Sequence, residues 1–318
     1  MKFSDIICPN PQIKGLERSI YANKIIQSLI IEGQEGTGKK TLANIYANAL
    51  VCSDQNEKPC GKCKGCTLYL SQNHPDIFEV TKEKKKSIGV EQIKALQKEA
   101  IIKPNESNRK VFIIHDAHTM TPQAQNALLK LIEEPPKYLS IILICENTMP
   151  LLETIISRCS IVPMPYLSYE NIMDALIKRG VDKGKAKIIA QGANGSLGKA
   201  ISRDDSGEYL KSRDELLDIF FILSESKSKG YEAASEKKDS ARAMVCLWQS
   251  VVRDALMIKN GEIDNIENVD KINKIESIAK SNDKEQLIEK LEALCEAEKR
   301  IYYNSQYSLV LDNLMTKI

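Results

Sequence analysis

Apolar and polar positions along the first half of the chain switch repeatedly between a helical and a strand-like spacing. Residues 16–30 carry apolar side chains at helical spacing, and Ser28-Leu29-Ile30-Ile31-Glu32 is a short apolar run of strand length. That run leads into GQEGTGKKT at 33–41, and Thr41 to Leu50, rich in Ala, Leu and Ile, predicts a helix. HPDIFEV (74–80) predicts a strand, 90–102 an amphipathic helix and KVFII (110–114) a buried strand. TPQAQNALLKLI (121–132) predicts a helix that opens on a proline, where proline is favoured, and that Pro135-Pro136 stops. SIILIC (140–145) predicts one more strand. Strands alternating with helices point to an α/β fold with a parallel, doubly wound sheet.

Beyond about residue 164 no strand run is convincing. Helical spacing marks 169–179 and 183–191, followed by the glycine-rich GANGSLG (192–198), and then 208–225, 231–260, 266–279 and 283–318. The expected organisation is an α/β domain over 1–163, with a cysteine-bearing insertion at about 50–72, a small helical domain over 164–205 and an all-helical domain over 206–318. A length of 318 residues supports two or three such domains. With 42% apolar and 28% charged residues, no run long enough for a bilayer and no secretory leader in MKFSDIICPN, a cytoplasmic globular protein is expected. Forty-five basic against 43 acidic residues give a net charge of +2, too balanced for a chain that coats nucleic acid alone. Any DNA contact is expected to be local or shared with partners.

The glycine loop carries candidate chemistry. Gly33, Gly38 and Lys39 occupy the fixed places of GxxxxGK[ST], between a strand and a helix as the motif requires. With Gly36, the glycines let backbone N–H groups turn toward phosphate oxygens, and Lys39 is placed to reach the β/γ-phosphates. The next position should bear a hydroxyl for Mg²⁺ but is Lys40, and Thr41 lies about 100° further round the helix. ATPases of this kind also need an Asp at the end of a second apolar strand, commonly followed by a Glu that activates water. Here KVFII ends in His115-Asp116-Ala117-His118, and whichever register is chosen, one of the two carboxylates is missing. Hydrolysis by this chain is not expected. His115 and His118 read as polar loop residues rather than metal ligands.

Cys52-x7-Cys60-x2-Cys63-x2-Cys66 supplies four soft ligands of the kind that closes a structural zinc site. An iron–sulfur cluster is the rival, but the run lacks the following x3-Cys-Pro; free thiols are the remaining alternative. The scattered Cys8, Cys145, Cys159, Cys246 and Cys295 are expected as small buried apolar side chains. The basic EKKK (83–86) reads as a solvated loop, and Tyr302, Tyr303 and Tyr307 as packing within a helix bundle.

Several ordered strings together resemble the bacterial DNA polymerase III clamp-loader family, whose members share an AAA+ P-loop domain. They are the glycine loop with its four-cysteine insertion, HPDIFEV (74–80), RKVFIIHDAHTMTPQAQNALLKLIEEPP (109–136) and TIISRC (154–159), and they span roughly residues 1–200. The resemblance implies an AAA+ domain with a zinc knuckle, a helical lid and a helical collar, assembled in a pentameric ring. In that ring gamma/tau motor subunits bind ATP, delta opens the sliding clamp and delta-prime completes the circle. Arg158 matches the Ser-Arg-Cys arginine that acts in trans on a neighbour's ATP; a guanidinium is suited to γ-phosphate oxygens. Lys40, the incomplete carboxylate pair and Gly198, where the motor pattern has Arg, all point to the delta-prime type. The implied partners are gamma/tau and delta, with the sliding clamp and primed DNA reached through the complex, and no membrane. The implied cofactors are structural zinc on Cys52, Cys60, Cys63 and Cys66, and ATP or ADP held without hydrolysis at Gly33, Gly36, Gly38, Lys39, Lys40 and Thr41. A gamma/tau-type ATPase motor is the alternative, and a stand-alone nucleotide-dependent regulator a third reading.

Overall fold

The structure, a computed structural model, describes residues 2–7, 10–82, 87–205, 207–263, 266–303 and 305–318. The basic run at 83–86 and Cys8 therefore lie outside the described residues. The chain forms two compact units, residues 1–175 with 194–199, and residues 176–193 with 200–318.

In the first unit, α1 (Pro11–Tyr21) is followed by β1 (Ser28–Glu32), α2 (Lys39–Val51), α3 (Lys64–Leu70), β2 (Ile77–Val80) and α4 (Val90–Ile101). Then come β3 (Lys110–Ile114), α5 (Pro122–Glu133), β4 (Leu139–Cys145), α6 (Glu153–Ile156) and β5 (Ser160–Pro163). The strands form one parallel sheet in the order β2-β3-β4-β1-β5. Strand side chains alternate between faces, so β1 sends Leu29 and Ile31 into a core with α1 and α2, and Ile30 into a core with α4, α5 and α6. Both faces being covered explains why the central strands read as continuous apolar runs.

Local chemistry accounts for most boundaries. Asn10 caps α1 by accepting the Gln12 amide at 2.8 Å, and Pro11 takes the first helical position. The helical spacing over 16–30 is corrected by this: α1 begins earlier, ends at Tyr21 and gives way to Asn23 at φ 53°. Thr121 caps α5 by accepting the Ala124 amide at 3.2 Å, ahead of Pro122. The α6–β5 stretch was not predicted. Each element is four residues long, and edge strand β5 fully buries only Val162, so neither leaves a periodic signal.

The β1 crossover leads to the far edge, β2, whereas the β4 crossover leads past β1 to β5. Adjacent strands whose crossovers diverge leave a crevice at their carboxyl ends, where α/β proteins place ligands. The glycine loop follows β1 at that crevice.

Helices α7 (Tyr169–Lys178), α8 (Lys183–Gly192) and α9 (Leu197–Asp205) follow the sheet. The second unit continues with α10 (Tyr209–Glu225), α11 (Lys227–Ser235), α12 (Ala241–Asn260), α13 (Ile272–Ser281), α14 (Lys284–Tyr302) and α15 (Tyr307–Lys317). The long helix expected over 231–260 is interrupted at the polar EKKDS stretch (236–240), which has no apolar side chain to bury. The core centres on Trp248, fully buried, whose Nε1 donates to Leu216 O at 2.9 Å and whose ring lies 5.5 Å from that of Phe220. Buried Arg213 donates to both Asp270 oxygens at 2.9 Å and to Asn268 Oδ1 at 2.7 Å. Burial works against the Asp270 carboxylate, but Arg213 outweighs it and holds the group below the usual range. Two expectations fail here. Cys246 and Cys295 are exposed, and so are Tyr302 and Tyr303, which pack edge to face with Arg242 over the Tyr302 ring. Tyr307 does pack, donating to Ala234 O at 2.6 Å.

Candidate nucleotide and metal sites

The loop after β1 uses its glycines for backbone shape. Gly36 and Gly38 adopt φ of 76° and 93°, which side-chain-bearing residues rarely do. Gly38 also forms the N-terminal boundary of α2. Thr37 is buried, and its hydroxyl donates to Gln34 O at 2.8 Å. Lys39 is turned onto the loop itself, donating to Gly33 O and, at 2.7 Å, to Gln34 O. Burial lowers the Lys39 pKa, opposed by nearby Glu146, Asp116 and Glu35. Lys40 is exposed and Thr41 half-buried.

The carboxylate end of β3 is rearranged. His115 is buried, not a polar loop residue as the sequence suggested, and its Nε2 donates to Glu79 Oε2 on β2 at 2.8 Å. That hydrogen bond, helped by Lys40, outweighs burial and holds Glu79 below the usual carboxylate range. Asp116 stands at φ 49° and pairs with Lys82 at 3.2 Å. His118 is part-exposed, and its Nδ1 accepts the Glu146 amide at 3.4 Å. Glu79 is the residue that sequence reasoning missed. Its signal was present, as the sole charged side chain in the IFEV strand.

The cysteines converge as expected from their spacing. The Sγ atoms of Cys52, Cys60, Cys63 and Cys66 all lie within 4.8 Å of one another. Cys60–Cys66 and Cys63–Cys52 are 3.9 and 3.8 Å apart, and a tetrahedron with zinc–sulfur bonds of about 2.3 Å has edges of about 3.8 Å. The amides of Cys63 and Cys66 donate to Cys60 Sγ and Cys63 Sγ at 3.3 and 3.4 Å. Burial pushes against the Cys63 thiolate, but amide donors at Cys66 and Ser53 help bring the thiol down to about 6, whereas burial pushes the Cys52 and Cys66 thiols up. The donor set thus fits a soft metal ion. Helix α3 packs so close to α2 that a Cβ on Gly65 would lie 2.4 Å from Val51 O, and Lys64 pairs with Glu106.

Sequence families fall on the chain in the same order as its parts. The one described as DNA polymerase III, delta subunit matches residues 9–168, and its C-terminal counterpart matches 207–318. The chain belongs to the DNA polymerase III delta-subunit family. The delta-prime subunit of Bacillus subtilis is 30% identical over 310 residues, covering 95% of this chain and 94% of that protein. That of Yersinia pestis is 38% identical over 134 residues, 42% of this chain and 39% of that protein. The tau subunit of Bacillus subtilis is 29% identical over 228 residues, 68% of this chain and 40% of its own length. The match along the whole chain is thus to delta-prime, and the chain is a clamp-loader subunit of that type. A solved gamma subunit-related protein of Thermotoga maritima superposes at TM-score 0.44 and 19% identity, over 95% of this chain and 97% of that one, too loosely to bear on the fold.

For a family member of this type, the remaining candidate is Arg158. It follows α6, half-exposed, with Nη1 donating to Thr154 O at 3.1 Å and Nη2 paired with Glu133 at 3.2 Å. Its recorded partners belong to α5 and the α6 turn, and none is a phosphate-loop residue.

Proposed function

We propose that this chain is a non-hydrolysing stator of the clamp loader, an AAA+ subunit that completes the ring and acts on ATP held by a gamma/tau neighbour. The observation that carries the reading is the replacement of the magnesium apparatus by protein charges. Lys40 stands where the Mg²⁺ hydroxyl belongs, and the end of β3 is committed to a His115–Glu79 pair instead of paired carboxylates. Water activation needs a free carboxylate within reach, and the two carboxylates at the ends of β2 and β3 are already engaged, Glu79 by the His115 ring N–H and Asp116 by Lys82.

Arg158 is the group offered to the neighbour. Its exposure and its weak, half-exposed pairing with Glu133 leave the guanidinium inexpensive to redirect. Its fork can meet γ-phosphate oxygens as negative charge develops there. Residues 1–163 act as the AAA+ domain, 164–205 as the lid and 206–318 as the collar. Cys52, Cys60, Cys63 and Cys66 would hold zinc in a closed, structural site whose role is to staple the insertion. ATP or ADP at Gly33, Gly36, Gly38, Lys39, Lys40 and Thr41 would be bound statically. The partners are gamma/tau and delta, the clamp and primed DNA are reached through the complex, and the setting is the cytoplasm. Among the described residues no helix is long and apolar enough to cross a membrane.

The test is DNA- and clamp-stimulated ATPase in a mixture of the cognate gamma/tau and delta subunits. Adding wild-type chain should raise the rate, and Arg158→Ala should assemble normally yet raise it far less. Arginine fingers in other NTPases contribute about 10³-fold or more per site, diluted here because one of several sites is served. ATP turnover by the isolated chain would refute the stator reading in favour of a motor subunit.

A further inference from the structure

Residues 194–199 group with the first unit although the residues on either side of them belong to the second. Their contacts within that unit are specific. Gly198 N–H donates to Gly36 O at 2.8 Å, and the Ser196 hydroxyl donates to Glu35 O at 3.0 Å. The same Ser196 oxygen accepts the Lys199 amide at 3.2 Å, so one side chain both caps α9 and ties it to the glycine loop. Behind them, Leu167 N–H donates to Gly195 O at 2.9 Å.

The approach is so close that only glycine fits on both sides. A Cβ on Gly198 would lie 2.8 Å from Gly36 Cα, and a Cβ on Gly36 would lie 2.1 Å from Ser196 Oγ. Lys39 meanwhile donates to the loop carbonyls of Gly33 and Gln34. The loop is therefore ordered by its own chain: two of its carbonyls are held from residues 196 and 198, two more by Lys39.

We infer that the 194–199 segment is a glycine-dependent latch that holds the phosphate loop against its own chain, so that polyphosphate binding competes with the latch. The inference rests on the proposal that the loop has no hydrolytic role, but it reads a different property. A nucleotide that draws Lys39 and the loop amides onto its phosphates must do so against the Gly36–Gly198 contact. While the latch is closed the loop holds one conformation, which suits a stator.

The experiment is amide hydrogen exchange on the full chain without nucleotide, together with binding of fluorescently labelled ATP, with and without magnesium. The variants are Gly198→Ala and Ser196→Ala. Gly198→Ala should speed exchange across 33–41 and 194–199 by about tenfold and tighten ATP binding by a similar factor, since a ligand gains whatever the competing state loses. Ser196→Ala, which keeps the glycine contact, should move both in the same direction by about threefold. If Gly198→Ala fails to fold, Ser196→Ala carries the test. Unchanged exchange in a natively melting variant would overturn the latch, and unchanged or weaker ATP binding would overturn the competition. Hydrolysis measured alongside bears on the stator proposal alone.

Discussion

The cysteine knuckle and the phosphate loop lie in the same unit, and both depend on glycines, yet they are built in opposite ways. The knuckle draws its ligands from within residues 52–66, and the four sulfurs meet at tetrahedral spacing. The loop's carbonyls are held by residues far away in sequence, Ser196 and Gly198 beyond the sheet, and the end of β3 is set by Glu79 of β2, which takes up His115. A site made by local spacing can be read as intact from its motif. A site completed by distant residues can keep the motif and lose the chemistry.

The largest effect expected from breaking that contrast is at the knuckle. Purified under reducing conditions, the chain should carry about one equivalent of zinc, and Cys66→Ser should abolish it, because a structural site needs all four ligands. Elemental analysis decides this, and wild-type protein without zinc would remove the metal from the comparison.

A smaller effect is expected at the knuckle's support. Asp76, buried ahead of β2, accepts the amides of Asn105, Glu106 and Ser107 at 2.6, 2.8 and 2.9 Å, and Glu106 in turn pairs with Lys64 of α3. Burial opposes the charge, but these amides win and depress the Asp76 pKa. A carboxylate with a depressed folded pKa stabilises above its ordinary value of about 3.9, and that contribution fades as pH falls through the folded value. Asp76→Asn should cost about 1–3 kcal/mol in denaturant unfolding near neutral pH and flatten the acid limb of the stability profile. Zinc content should survive, because the knuckle closes on itself; loss of zinc in this variant would show that the site is not local after all.

The smallest effect is expected at the loop. Lys40→Thr restores the motif's hydroxyl but not the carboxylates committed to His115 and Lys82. ATP turnover by the isolated variant should therefore stay at background. A gain in turnover would mean that the loop, like the knuckle, is governed by its local motif.

Much of this was legible from residue patterns, for identifiable reasons. β1, β3 and β4 are buried on both faces, so apolar runs marked them almost to the residue. α5 announced itself through Thr121, Pro122 and the prolines that follow. β5 escaped because an edge strand with one fully buried side chain has no hydrophobic signature. Residues 16–30 misled because Leu16 and Ile20 fall at helical spacing, although the helix that carries them ends at Tyr21. His115 was misjudged because burial of a polar side chain depends on its partner, and Glu79 lies thirty-six residues away.

The sequence by itself determined the α/β and all-helical halves, the glycine loop with its missing hydroxyl, and the cysteine ligand set, since backbone freedom, periodic burial and ligand spacing all act over a few residues. Only the tertiary structure decided that Glu79 takes up His115, that Lys39 rests on its own loop, and that Gly198 touches Gly36. Those contacts join segments that no local pattern connects: the sheet order brings β2 beside β3, and a close backbone approach becomes visible only once both glycines are placed.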